Sequence, residues 1–119
     1  MKHSALRHAA LVLALICIAP AHADLKQASG KLTLLRVHDV GSDFGPPSDK
    51  IDVEVVMKLD SRPDQAFGFQ LRNDSEWPAR EGMLGLLRDA FNHNWTVFVD
   101  YEIDAGKKNG VIIRVWLVK

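Results

Sequence analysis

Five carboxylates, Asp39, Asp43, Asp49, Asp52 and Glu54, crowd around one Gly- and Pro-rich stretch of the chain. Paired acids of this kind do general acid and base work, as in a small carboxylate-based hydrolase, when burial raises the pKa of one of them. Acids beside a Gly-Pro loop also serve as plain turn residues, and nothing in their spacing selects catalysis. Other chemistry is sparse. His38 and His93 are the only histidines after residue 23 and have no i, i+4 partner, so zinc is not expected. The tract Asp104 to Gly110 is rich in Asp, Asn and Gly but lacks the regular oxygen series and closing Glu of a calcium loop. It carries Lys107 and Lys108, the one cationic pair at a loop tip, suited to solubility or to anion contact. Phe44 is an aromatic ring in the Gly41 to Asp49 loop with no strand of its own. It reads either as a stacking platform for a ligand or as a cover over one end of the core. No cofactor motif is present.

These residues have to be placed by a chain that begins with an export signal. Lys2 and Arg7 give a basic start, Ala9 to Ala19 is apolar, and Ala21-His22-Ala23 supplies the small residues of a cleavage site, so residues 1–23 read as a signal peptide cut after Ala23. The apolar run is too short to span a bilayer, and no later segment approaches the required length, so no membrane span is expected in the mature chain. The expected address is periplasmic or secreted. Cys17, the single cysteine, leaves with this segment, and the remainder has neither disulfide nor thiolate ligand with which to staple itself. With Lys2 and Arg7 also removed, acids exceed bases by two. That balance disfavours nucleic acid as the principal partner, because non-specific affinity for phosphates rests on an excess of Lys and Arg.

Beyond the signal, Asp24 to Gly30 is small and polar and reads as a flexible leader. Residues 31–119 then read as one mainly β domain with one helix. Lys31 to Val40 is a first strand whose apolar alternation slips at Leu34-Leu35, as in a strand that bends between two halves of a barrel. Gly41 to Asp49 is turn chemistry throughout. Ile51 to Leu59 alternates regularly, with Ile51, Val53, Val55, Met57 and Leu59 inward. Its outer Asp52 and Glu54 are placed to pair with Arg36 and His38 across an antiparallel ladder. Phe67, Phe69 and Leu71 make a third strand. Asn73, Asp74 and Ser75 then offer caps for a helix whose inward stripe is Met83, Leu84, Leu87, Ala90 and Phe91. Gly82 and Gly85 within it suggest close approach of the helix backbone to the sheet, and Asn92 to Asn94 close it. Trp95 to Glu102 and Val111 to Val118 are the last two strands. On simple alternation Ile112, Trp116 and Val118 share the outer face with Phe98, a surface expected either to meet a protein partner or a second copy of the chain, or to be buried under the Asp24 to Gly30 leader.

Strand, loop, strand, turn, strand, helix, strand, hairpin, strand is an order that resembles the oligosaccharide/oligonucleotide-binding (OB) barrel, five strands with the helix between the third and fourth. The resemblance is carried by Phe67-Gly68-Phe69-Gln70-Leu71, the helix from Arg80 to Asn92, Val97-Phe98-Val99-Asp100-Tyr101, and Gly110 to Trp116. In size and element order the chain is similar to the pentamer-forming, glycan-binding B subunits of subtilase-type bacterial toxins. It departs from them in having no mature cysteine, and no glycan-contact motif matches residue by residue. The resemblance implies a ligand at the face of the second and third strands and the loops after the first and fourth. Here those positions are Phe44, Asp52, Glu54, Lys107, Lys108 and Asn109. The expectation is a non-catalytic exported module recognising a glycan, a peptide or an envelope protein. A small hydrolase and a single-strand nucleic-acid binder are the alternatives.

Overall fold

A computed structural model describes residues 25–119, so the expected signal peptide lies outside the described residues. The chain is mainly β with one helix. Its elements are β1 (Lys26–Gly30), β2 (Leu32–Val37), a 3-10 turn (Pro47–Asp49), β3 (Val55–Leu59), β4 (Ala66–Phe69), α1 (Trp77–His93), β5 (Val97–Glu102) and β6 (Gly110–Trp116). The strands form one six-stranded mixed sheet in the order β1-β5-β6-β4-β3-β2, antiparallel throughout except for the short parallel contact of β4 with β6.

The segment before Lys31 differs from expectation. Lys26 to Gly30 is no loose leader; it is β1, paired along its whole length with β5 from Lys26 opposite Tyr101 to Gly30 opposite Val97. Residues 26 to 37 thus form an almost unbroken strand whose first half joins one end of the sheet and whose second half joins the other. In a flat sheet of six strands at about 4.8 Å spacing these ends would stand roughly 24 Å apart. A step across Lys31 alone spans no more than about 7 Å. The sheet therefore curls until β1 and β2 meet at Lys31, although no ladder joins them directly. Asp60 fastens this corner, its Oδ1 accepting the Lys31 N–H at 2.9 Å.

Helix α1 follows the fourth strand, after the expected third strand once β1 is counted. It packs against β2 and β6, which are three steps apart in the sheet order. Leu87 and Ala90 are buried, and Met83, Leu84 and Leu86 pack on the same core. Phe91, expected inward, is 46 % exposed. No side chain caps the first turn at Glu76; instead Asp74 accepts the Glu76 and Trp77 N–H groups, at Oδ1 and at its carbonyl. At the other end Asn94 takes a left-handed conformation (φ 56°) and donates its N–H to the Ala90 carbonyl. The glycines do not serve close packing. A Cβ at Gly82 or at Gly85 would meet nothing within 4 Å.

Two apolar clusters fill the molecule. The main core, between α1 and the concave sheet, holds Val55, Met57, Leu59, Phe67, Phe69, Leu87, Val97, Val99 and Tyr101. A second cluster, Ile51, Val53, Val56 and Ala66 with Leu34, Phe44 and Val111, lies on the other side of β3. The regular alternation of Ile51 to Leu59 is therefore cut. Only Val55–Leu59 is strand, the chain bends at Glu54, and Ile51 and Val53 turn back over the outer side of the sheet that Val56 faces. Gly68 makes room for this return, since a Cβ there would stand 2.6 Å from a Val53 methyl.

Candidate functional site: a cleft between two loops

The bend at Glu54 is the local feature from which the site is built. Its carboxylate, on a residue only 2 % exposed, accepts the Leu71 N–H at 3.0 Å and two bonds from Arg72, Nε at 2.9 Å and Nη2 at 2.8 Å. The Arg72 guanidinium holds the carboxyl below the usual glutamate range despite the burial that opposes ionisation, and Glu54 in turn raises Arg72. Arg72 Nη2 also reaches Asp52 Oδ1 at 2.6 Å, and Gln70 Nε2 donates to the Asp52 carbonyl at 3.1 Å. The chain after β4 is thereby clamped to the chain before β3. The expected pairing of Asp52 and Glu54 with Arg36 and His38 is not what forms. His38 Nε2 donates to the Val53 carbonyl at 2.7 Å, and Arg36 lies over the Phe44 ring, 5.1 Å from its centroid.

Two loops then close over the clamp. Phe44 and Ile51 exchange both backbone bonds, at 3.0 and 2.8 Å, which folds Gly41 to Lys50 into a narrow excursion. Asp49, 7 % exposed, turns its Oδ1 to the Lys108 and Asn109 N–H groups at 3.0 and 3.2 Å. Asn109 completes the joint, donating Nδ2 to the Asp49 carbonyl at 3.1 Å and accepting the Ala66 N–H at 2.9 Å. Lys107 Nζ donates to the Lys50 carbonyl at 2.6 Å. The loop after β2 and the loop after β5 are in this way tied to each other.

Between them lies a cleft of about 480 Å³. Its walls carry Asp43, Asp52 and Asp104 against Lys50, Arg80 and Lys107, with Gln70 beside them, and its floor is Ile51, Phe69, Val111 and Ile112. Arg80 comes from the first turns of α1, 3.9 Å from Asp74. A second opening of about 410 Å³ on the other side of the loop is lined by Phe44, Lys58, Asp64, Lys108 and Asn109, among others.

The residues named from sequence are accordingly dispersed. Asp52 and Lys107 line the first cleft; Phe44, Lys108 and Asn109 line the second; Glu54 lines neither and is spent on Arg72. Phe44 is half-buried in the outer cluster, a cover for the sheet. Arg72, Gln70, Arg80, Lys50 and the latching role of Asp49 were not read from sequence. Arg72 follows a strand in irregular chain, where no periodicity points to a partner, and Arg80 lies off the apolar stripe by which the helix is read. Among the described residues no group of three or more His, Cys, Asp or Glu is placed to hold a metal ion.

The outer face of β5 and β6 carries a different feature. Phe98 and Trp116 sit opposite each other in the ladder with rings stacked at 5.5 Å and 16°. Beside them Asp100 accepts from Arg114 Nη1 at 2.6 Å. Ile112, grouped with this surface on simple alternation, is 4 % exposed and belongs to the main core. The reason is a bulge. Tyr101 opposes Ile112 whereas Asp100 opposes Arg114, so Ile113 is an extra residue and the in-out parity reverses across it. No helix of the described residues is long and apolar enough to cross a membrane. Comparison with known protein families, characterised proteins and solved structures finds no match to the chain.

Proposed function

We propose that this chain is an exported, non-catalytic binding module of the OB type that takes a glycan in the cleft between the loops after β2 and β5. The observation that carries the reading is the composition of that cleft: three acids and three bases around an apolar floor. A singly signed ligand such as a nucleic-acid strand gains nothing from walls of balanced charge. A neutral polyhydroxyl ligand uses both, its hydroxyls donating to carboxylates and accepting from Lys, Arg and Gln, while its C–H face meets Val111. Glu54 does not serve the catalytic alternative as its general acid, because Arg72 holds its carboxyl below the usual glutamate range and it lines neither cleft.

The OB assignment draws support from the curl of the sheet, from β1 and β2 acting as one strand bent at Lys31, from the parallel contact of β4 with β6, and from the helix between β4 and β5. Export rests on the basic, apolar and small-residue pattern of residues 1–23. A glycan array probed with residues 24–119 tests the function. Retention of a defined set of glycans, reduced at least tenfold by Gln70→Ala and by Arg80→Ala, supports it; no retention, or retention indifferent to both substitutions, removes it.

A second reading, assembly with an envelope protein or with further copies of the chain, is favoured by the half-exposed Phe98–Trp116 pair. Sedimentation of the wild type against Trp116→Ser tests it: a complex lost in the variant supports assembly, and a monomer in both removes self-association.

A further inference from the structure

We infer that the Gly41–Lys50 loop is a lid over the cleft, latched by Asp49 and opening with loss of the Phe44–Ile51 bridge; the inference rests on the cleft being the binding site assigned above. The loop supplies Asp43 and Lys50 to the lining of the cleft and so forms one of its two walls. What holds it is mostly polar. The latch consists of the Asp49 carboxylate on the Lys108 and Asn109 N–H groups, the Asn109 amide on the Asp49 carbonyl, and Lys107 on the Lys50 carbonyl. Apolar anchorage comes from the Phe44 ring alone, itself half-buried.

On either side the chain is held far more firmly. Beyond the loop, Ile51 and Val53 are fully buried; before it, β2 is paired with β3 as far as Val37. Segments with few buried apolar atoms and replaceable polar bonds lie at the low end of local stability, and lids are drawn from such segments. The backbone offers pivots within the loop, with Gly41 at φ 89° and Gly45 at φ 114°. Because the same bonds join the loop after β2 to the loop after β5, releasing Asp49 frees both walls of the cleft together.

Amide hydrogen exchange followed by NMR on the unliganded protein tests this. The Phe44 and Ile51 amides report the loop's own bridge, and the Lys108 and Asn109 amides report the latch. In the wild type these four exchange at similar rates, at least about tenfold faster than the paired amides of β5 and β6. Asp49→Ala accelerates the four and leaves the β5 and β6 amides unchanged, whereas Asp49→Asn, which keeps an Oδ1 acceptor, moves them less. Exchange of the four at the rate of β5 and β6 in the wild type overturns the lid, as does uniform acceleration of all amides in Asp49→Ala. The wild-type measurement decides alone if Asp49→Ala does not fold. No glycan is needed, so the two failures separate: a lid that opens in a protein retaining no glycan leaves the lid standing, and a glycan bound by a protein whose loop exchanges with the core leaves the binding reading standing.

Discussion

Replacing Glu54 by Gln removes a charge and leaves the shape. The glutamine oxygen, in the place of Oε1, still accepts from the Leu71 N–H and from Arg72 Nε, but the amide nitrogen in the place of Oε2 now confronts the Arg72 Nη2 donor that the carboxylate met at 2.8 Å. Breaking a fully buried ion pair costs about 3–5 kcal/mol. Here the Arg72 side chain retains 29 % exposure and keeps Asp52 as a partner, so part of its charge is solvated or paired in the variant, and the loss falls to about 2–3 kcal/mol. For a domain of this size each kcal/mol shifts Tm by roughly 4–8 °C, so the variant melts roughly 8–24 °C below the wild type. The pH dependence follows the same bond. Glu54 titrates lower in the folded chain than in the unfolded one, so its stabilisation is complete above the unfolded value of about 4.3 and disappears as pH falls through the folded value. Urea melts in steps from neutral pH downward should show that the gap between wild type and Glu54→Gln narrows in that acid range. Arg72→Met, alone and combined with Glu54→Gln, completes a cycle with a coupling of about 1–3 kcal/mol. A Glu54→Gln loss under about 0.5 kcal/mol, or strict additivity in the cycle, would refute the claim that this pair holds the bend.

Further outcomes follow from individual contacts. Gly82→Ala and Gly85→Ala, where a Cβ meets nothing within 4 Å, should each raise stability by up to about 1 kcal/mol in the same urea assay; a loss at either position would mean that the helix backbone is in contact there. Gly45→Ala places a Cβ 2.5 Å from the Asp49 carbonyl at φ 114°, and should cost more than about 1 kcal/mol and speed exchange at Lys108 and Asn109. Ile112→Ala and Trp116→Ala separate the two sides of the bulge. The first should lower stability by about 2–5 kcal/mol as a core cavity; the second, at a half-exposed ring, should cost less, losing a cross-strand pair worth about 0.5–1.5 kcal/mol beyond the ring's partial burial. Equal costs would contradict the bulge at Ile113.

Much of the framework was legible from sequence because it rests on local periodicity. The inward stripe of α1 at Leu87 and Ala90, the left-handed stop at Asn94 and the strands around Met57, Phe67 and Val99 all follow from spacing or from turn chemistry. What escaped depends on partners distant in the chain. Lys26 to Gly30 carries too little apolar alternation to announce a strand and is ordered by pairing with β5. Ile51 and Val53 continue the alternation of β3 by residue type, and it is long-range bonds, among them Arg72 on Glu54, Gln70 on Asp52 and His38 on Val53, that hold them on the opposite face. Simple alternation groups Ile112 with Trp116 because it takes no account of the bulged Ile113 between them, which reverses their parity. The candidate site suffered most, since it is assembled from two loops, an irregular segment and a helix start. Its acids were visible in the sequence, but which of them stay free and which are spent on Arg72 or on the Asn109 joint is decided by tertiary bonds alone.

The most direct test of the central claim is amide chemical-shift mapping during titration with a glycan retained on the array. Binding in the cleft predicts the largest shifts at Lys50, Gln70, Arg80 and Lys107, with Ser29, Phe98 and Trp116 unmoved. Shifts concentrated on Phe98 and Trp116, with the cleft residues silent, would contradict it.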